Sequence, residues 1–226
     1  MARELPRVNL YRQDGIGMTS QRTRTRMVDR LRELGIRDEL VLSAMNSVPR
    51  HMFVEEAISH LAYDDKSLPI GYAQTISQPY IVARMIELLR NGKQLGRVLE
   101  IGTGCGYQAA VLAHIAREVH TIERILPLYD RAVLTFEEMK VDNIQASYAD
   151  GNAGALAAAP FDGIIVAAAA THIPQVLIDQ LAVGGRMVLP MGSKEQNLQL
   201  VERDDSGYRV SKLEPVKFVP LLMGKA

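Results

Sequence analysis

The sequence predicts an α/β fold: a doubly wound, mostly parallel sheet with an antiparallel hairpin at its C-terminal edge. Three observations carry this expectation. Val98-Leu-Glu-Ile-Gly-Thr-Gly-Cys-Gly106 reads as a short buried strand running into a glycine-rich turn, with a helix expected from Tyr107. That is the strand–turn–helix of a nucleotide-binding crossover. From Arg97 onward, short apolar runs alternate with helical stretches, as in a parallel sheet covered on both faces. After the last helical stretch the pattern becomes strand–turn–strand, which fits an antiparallel pair at the edge.

Composition narrows the class. At 226 residues and 47% apolar, the chain is expected to form a single globular unit. Residues 1–70 are read as an N-terminal helical segment packing on the core, and residues 71–226 as the part that carries the sheet. Lys+Arg and Asp+Glu both number 26, so no global field favours nucleic acid or membrane as a partner, and a monomer is expected. Cys105 is the sole cysteine, which excludes an internal disulfide and suits a reducing compartment. Within the tight turn it is read as a small residue, not a catalytic thiol. The longest apolar run, Ile164–Ala170, is too short to span a bilayer, and the N-terminus lacks the apolar core of a signal peptide. A cytoplasmic location is expected. The histidines (His51, His60, His114, His120, His172) are scattered without ligand spacing, so no metal site is expected.

Taken in order, residues 1–18 show no regular pattern. Met27, Val28, Leu31 and Leu34 then recur at helical spacing up to Gly35, and Arg22, Arg24, Arg26, Arg30 and Arg32 are read as the solvated face of that helix. A second short helix is expected from Asp38 as N-cap through Leu40, Val41 and Met45, stopped by Pro49. Gly71–Tyr80 is read as a polar loop leading into a helix through Ile81, Val82, Met85, Ile86, Leu88 and Leu89. Ser77 is expected as its N-cap, with Pro79 in the first turn. A hydroxyl at a helix N-terminus can also receive a carboxylate. Strands are expected at Arg97–Ile101, Glu118–Ile122, Ile144–Tyr148, Phe161–Ala167 and Arg186–Pro190. Helices are expected at Tyr107–Ala116, Ile125–Lys140 and Ile173–Leu181. Asn197–Glu202, Tyr208–Leu213 and Val216–Pro220 read as strands, with a turn at Asp204–Gly207.

The site follows from the glycine turn. Gly102, Gly104 and Gly106 allow a sharp bend and close approach of a ligand to the backbone. In an open parallel sheet the ligand sits outside the carboxyl ends of the strands. Glu123 ends the second strand, where its carboxylate can accept ribose hydroxyls. Asp150-Gly151 ends the third, where an acid can accept from an adenine amino group. These features suit a nicotinamide dinucleotide or S-adenosylmethionine. The C-terminal hairpin in place of a second mononucleotide half, and the lack of room for a separate substrate domain, favour S-adenosylmethionine. A nicotinamide-dependent oxidoreductase, or a binding module that keeps the fold without catalysis, remain the alternatives.

The motifs then resemble a known family. Val48-Pro-Arg-His-Met-Phe-Val54, Gln74-Thr-Ile-Ser-Gln-Pro-Tyr80, Val98–Gly106, Ala159-Pro-Phe-Asp-Gly-Ile-Ile-Val166 and Phe218-Val-Pro-Leu221 are similar to segments of the protein-L-isoaspartate O-methyltransferases. The resemblance implies a Rossmann-like, S-adenosylmethionine-dependent methyltransferase fold. It also implies methyl transfer to the α-carboxylate of L-isoaspartyl residues in damaged proteins and peptides, with S-adenosyl-L-homocysteine as product. The ester would collapse to a succinimide, whose hydrolysis returns some normal aspartate. Carried over by position, Ser77 would be the active-site hydroxyl. Ile76, Ser77, Gly102, Gly104, Gly106, Glu123, Asp150 and Gly151 would hold the cofactor, and the Phe218–Pro220 backbone would line the peptide groove. Two positions depart from the family pattern: Ala73 stands where a second glycine is common, and Ala167 where threonine is common.

Overall fold

The structure, a computed structural model, describes residues 14–226. Residues 1–13, most of the stretch read as patternless, lie outside it. Two helices, α1 (Gln21–Glu33) and α2 (Glu39–Ser47), lead the described chain, followed by the short strands β1 (Leu68–Gly71) and β2 (Gln74–Ile76) and helix α3 (Pro79–Arg90). Then come β3 (Leu95–Ile101), α4 (Tyr107–Ala113), β4 (Ala116–Glu123), α5 (Leu126–Met139), β5 (Ile144–Tyr148) and β6 (Phe161–Val166). Helix α6 (Gln175–Asp179), β7 (Leu181–Gly192), β8 (Gln196–Asp204) and β9 (Gly207–Val216) complete the order.

Strands β3–β9 form one sheet in the spatial order β5-β4-β3-β6-β7-β8-β9, while β1 and β2 pair separately. Strands β3 to β7 run parallel; β8 and β9 are antiparallel to their neighbours. The chain leaves β3 toward β4 on one side and returns to β6 on the other, so a crevice opens at the carboxyl end of β3. Side chains alternate across the sheet as strand geometry requires. Val98, Ile165 and Val188 join one core with α1 to α5, while Leu99, Ile101, Ile164, Val166, Met187 and Leu189 join a second with α6. Glu100 falls on the face of Val98, and its side chain is fully buried.

Several elements differ from the sequence reading, each for a local reason. The helix expected over Ile173–Leu181 is one turn and a half, because Pro174 sits at its N-cap and Leu181 already pairs with Phe161. No separate strand spans Val216–Pro220; β9 ends at Val216, and Pro220 makes only an isolated bridge with Ala169. The arginine face of α1 is not uniformly solvated. Arg24 is buried, donating to the Tyr63 hydroxyl at 3.2 Å and to the Ser47 carbonyl at 3.1 Å, and Arg30 donates to the Tyr63 carbonyl. Asp38 caps α2 as expected, accepting from the Leu40 and Val41 amides at 3.1 and 3.3 Å.

The stretch read as a polar loop contains the β1–β2 hairpin. Its connection is Tyr72-Ala73, between the paired Gly71 and Gln74, and both residues are left-handed, with φ of +54° and +55°. A two-residue hairpin loop of this hand is the type that follows strand twist, and it favours glycine or asparagine. An alanine held there costs roughly 1–2 kcal/mol, against about 0.5–1 kcal/mol of extra unfolded-state freedom for glycine. Ala73→Gly is therefore expected to stabilise the protein by about 0.5–1 kcal/mol, read as a higher urea midpoint at unchanged slope. A lower midpoint would refute the strain.

Candidate active site

A cavity of about 890 Å³, counting its open mouth, lies at the carboxyl ends of β3, β4 and β6. Its floor is Glu100–Cys105, one wall is Ile122–Ile125 with Gly151, and the others come from Gln74–Ser77, Ala167–Ala168 and Val219–Leu222.

Ser77 lines this cavity, but not as a cap. The N-cap of α3 is Gln78, whose side chain makes no capping bond, and Pro79 has no N–H to satisfy. The Tyr80 amide is taken by Asp65 Oδ1 at 2.8 Å, from the loop before β1. A remote carboxylate thus does the work expected of Ser77, and among the described residues the Ser77 hydroxyl makes no hydrogen bond. Ile76 beside it is buried, with part of its surface in the cavity wall.

The glycines divide their tasks. Gly102 and Gly104 line the cavity, whereas Gly106 does not. Gly106 is the N-cap of α4 at φ +93°, and a Cβ there would lie 2.7 Å from the Phe136 ring of α5. Its smallness serves helix packing.

Glu123 lines the cavity and is buried. Its Oε2 accepts from the Gly104 amide at 2.8 Å, and its Oε1 accepts from the Arg124 and Ile125 amides, both at 2.9 Å. The carboxylate therefore fastens the glycine turn to the start of α5. Its open acceptor capacity is on Oε2, room for one ribose hydroxyl without rearrangement, not two. The expected pair at the third strand end is split. Gly151 lines the cavity, while Asp150 lies outside the lining. Asp150 Oδ1 accepts from the Asn152 amide and side chain, each at 2.9 Å, and Oδ2 accepts from the Gly224 amide at 2.7 Å. Those bonds, the Asn152 side chain foremost, hold its carboxyl below the usual range. Asp150 organises the tail that places Leu222 in the cavity wall. Of the peptide-groove segment, Val219 and Pro220 line the cavity. The backbone of Phe218 is committed to the Gln196 side chain, at 2.7 and 3.1 Å.

Two lining residues had no role from sequence. Glu100 accepts from Thr121 Oγ1 through Oε2 at 2.5 Å, while its Oε1 is buried without a partner. Burial, with the nearby Glu123 charge adding to it and the Thr121 bond opposing, pushes its carboxyl up to about 8. Gln108 Nε2 is likewise buried without a partner. A carboxylate inside an otherwise apolar strand breaks the pattern of a structural core, and that was the available signal. Cys105 is buried and its thiol is pushed up to about 11, mainly by desolvation, so it stays protonated at neutral pH.

Comparison with known proteins bears directly on this site. The family model for protein-L-isoaspartate(D-aspartate) O-methyltransferase matches residues 22–226. A protein-L-isoaspartate O-methyltransferase of Methylobacillus flagellatus is 62% identical over 214 residues, 93% of this chain and 96% of its own. One from Dechloromonas aromatica is 56% identical over 211 residues, 93% of this chain and 98% of its own. A solved protein-L-isoaspartate O-methyltransferase superposes with a TM-score of 0.82 at 26% identity, covering 89% of this chain and 67% of that one. A Plasmodium falciparum protein assigned to the same family, solved in complex with S-adenosyl-L-homocysteine, superposes at 0.74 with 25% identity, covering 88% and 98%. The mostly parallel sheet with its antiparallel edge pair, the glycine turn and this extent of likeness lead to one conclusion: the chain belongs to the protein-L-isoaspartate(D-aspartate) O-methyltransferase family.

Proposed function

We propose that this protein transfers the methyl group of S-adenosylmethionine to the α-carboxylate of L-isoaspartyl residues in proteins and peptides, acting as a cytoplasmic monomer. The observation that carries the reading is the cavity at the sheet's switch point, with an uncommitted hydroxyl, Ser77, at one wall and the half-satisfied Glu100 carboxyl, its Oε1 without a partner, in its floor. The match to the family supports the substrate class, and the S-adenosyl-L-homocysteine bound to the Plasmodium relative supports the cofactor. No helix among the described residues is long and apolar enough to cross a membrane. The buried, unpaired Cys105 suits a reducing compartment. Of the N-terminal segment, the described residues 14–70 act as a largely helical appendage to the catalytic part, 71–226.

The residues fit the cofactor in kind. Glu123 accepts from the ribose, Gly102 and Gly104 let the ligand lie against the backbone, and Gly151 and Ile76 cover it. The Glu100 carboxyl is placed to receive an ammonium group, and a cation there draws off its proton. When bound, the cofactor would supply a methyl group on a sulfonium, an electrophile open to direct attack by a carboxylate oxygen with the neutral thioether as leaving group, so that no proton transfer would be required.

The chain's own residues therefore have alignment and water exclusion to provide. An ionised carboxylate is already the nucleophile, so no general base is needed. Ser77 orients it with a single hydrogen bond, which leaves a lone pair for attack. Arg124 is the one cationic residue in the lining, and its guanidinium is engaged by the Gly224 and Met223 carbonyls at 2.9 and 3.4 Å. Val219 and Pro220 flank the peptide.

Labelled methyl transfer to paired peptides, differing only in aspartyl or isoaspartyl linkage, tests the reading. Label is expected on the isoaspartyl peptide alone. Ser77→Ala is expected to lower kcat by about 10- to 100-fold, the worth of one hydrogen bond to an ionised group. Equal labelling of both peptides, or a methyl group trapped on Ser77, would overturn it.

A further inference from the structure

Helix α4 follows the glycine turn and is buried along nearly its whole length: Tyr107, Gln108, Ala109, Ala110, Val111 and Leu112 all lack solvent exposure beyond a few per cent. A helix buried all round is normally apolar all round. Gln108 breaks that pattern. It is 8% exposed, it lines the cavity, and its Nε2 has no acceptor among the described residues. An amide nitrogen left unpaired in the interior destabilises the fold unless something else accepts from it. The cavity floor holds a second such atom, Glu100 Oε1. The wall therefore offers a buried amide nitrogen and a buried carboxyl oxygen that do not satisfy each other. The cofactor assigned above carries the complementary pair, a carboxylate and an ammonium on one carbon.

We propose that the Gln108 side-chain amide is a cofactor-holding group that donates to the carboxylate of the methionine moiety, while Glu100 faces the ammonium. The proposal rests on the methyltransferase reading of the cavity. It gives Gln108 a role in binding and alignment, not in bond making. The amide is neutral, so it fixes the carboxylate without adding positive charge to a site that must also accept a sulfonium. It also adds a selectivity: ligands with the same adenosine and thioether but no carboxylate lose this contact.

Calorimetric titration of the full chain tests it with two probes, S-adenosylhomocysteine and its decarboxylated counterpart. Wild type is expected to favour the carboxylate-bearing probe by about 10- to 100-fold, one hydrogen bond to an ionised acceptor. Gln108→Leu and Gln108→Met are expected to lose that preference while binding the decarboxylated probe as wild type does. Two variants are used because a branched side chain could disturb the packing of α4; the wild-type comparison stands without either. Equal binding of the two probes by wild type overturns the proposal. So does a variant that weakens both by the same factor, the result expected if Gln108 holds only a buried water. Failure of wild type to bind S-adenosylhomocysteine at all would instead remove the cofactor reading on which the proposal rests.

Discussion

Glu100→Gln is expected to flatten the pH dependence of stability in the ligand-free protein and to make it more stable than wild type at pH 8. The side chain is fully buried, and its carboxyl is raised from 4.5 to about 8, mainly by desolvation. Between those values the folded chain keeps the proton while the unfolded chain has lost it. The unfolded state then binds fewer protons, so unfolding free energy falls as pH rises, by at most about 1.4 kcal/mol per pH unit. Integrated from pH 5 to pH 8, this single group removes roughly 4 kcal/mol from the wild type. Glutamine has nearly the same shape and cannot ionise, so that slope disappears. Its amide has unmet hydrogen-bonding capacity of its own, which costs about 1–3 kcal/mol at every pH. The two stability curves should therefore cross, with wild type ahead at pH 5 and the variant ahead at pH 8. Urea unfolding at four or five pH values measures this; parallel curves would show that Glu100 does not titrate as described. Affinity for S-adenosylhomocysteine should move the other way, weakening by about tenfold or more as a charged partner for the ammonium is lost. A buried acid that burdens the empty protein and serves the loaded one is expected at a binding site.

The second large effect separates two glycines that look alike in sequence. Gly106→Ala places a Cβ 2.7 Å from Cε1 and Cζ of Phe136 and 3.3 Å from Ala132 Cβ, at a φ of +93°. The left-handed backbone costs roughly 1–2 kcal/mol for any residue with a Cβ, and the overlap adds about 1–3 kcal/mol because the ring is packed. A loss of about 3–4 kcal/mol in unfolding free energy is expected, enough to threaten a domain of ordinary stability. Gly104→Ala meets only Ile70 Cδ1, at 3.3 Å, at a φ of +55°. Its cost to stability should be near 1–2 kcal/mol, with the larger penalty on cofactor affinity because position 104 lines the cavity. If both variants lost stability alike and bound cofactor alike, the division between packing and binding would fail.

The sheet was legible because its central strands are largely buried on both faces and punctuated by turns, so their apolar runs stand out. Ile144–Tyr148 was placed to the residue, and the others were placed to within a few residues at one or both ends. The β1–β2 hairpin was hidden by its own chemistry. A Tyr-Ala loop lacks the glycine or asparagine that marks such turns, and strands this short carry no periodicity. The glycine turn, Glu123 and Gly151 could be placed at the cavity because strand ends locate them. Asp150 could not be separated from Gly151 by position alone; only the tail that occupies its carboxylate does so. Glu100 lies within the Val98–Gly106 motif and Gln108 two residues beyond it, yet periodicity passes over polar residues inside largely apolar elements. Their significance lies in missing partners, which only coordinates reveal.

Helix termini ordinarily recruit the closest hydroxyl, and at α3 that would have silenced Ser77. Because an acid from twelve positions upstream fills the vacancy, the reactive surface depends on a residue that never meets either ligand. On the role proposed for Ser77, position 65 is an indirect determinant of turnover: damage there is expected to look like an active-site lesion in kinetics, with every group that touches the substrate intact.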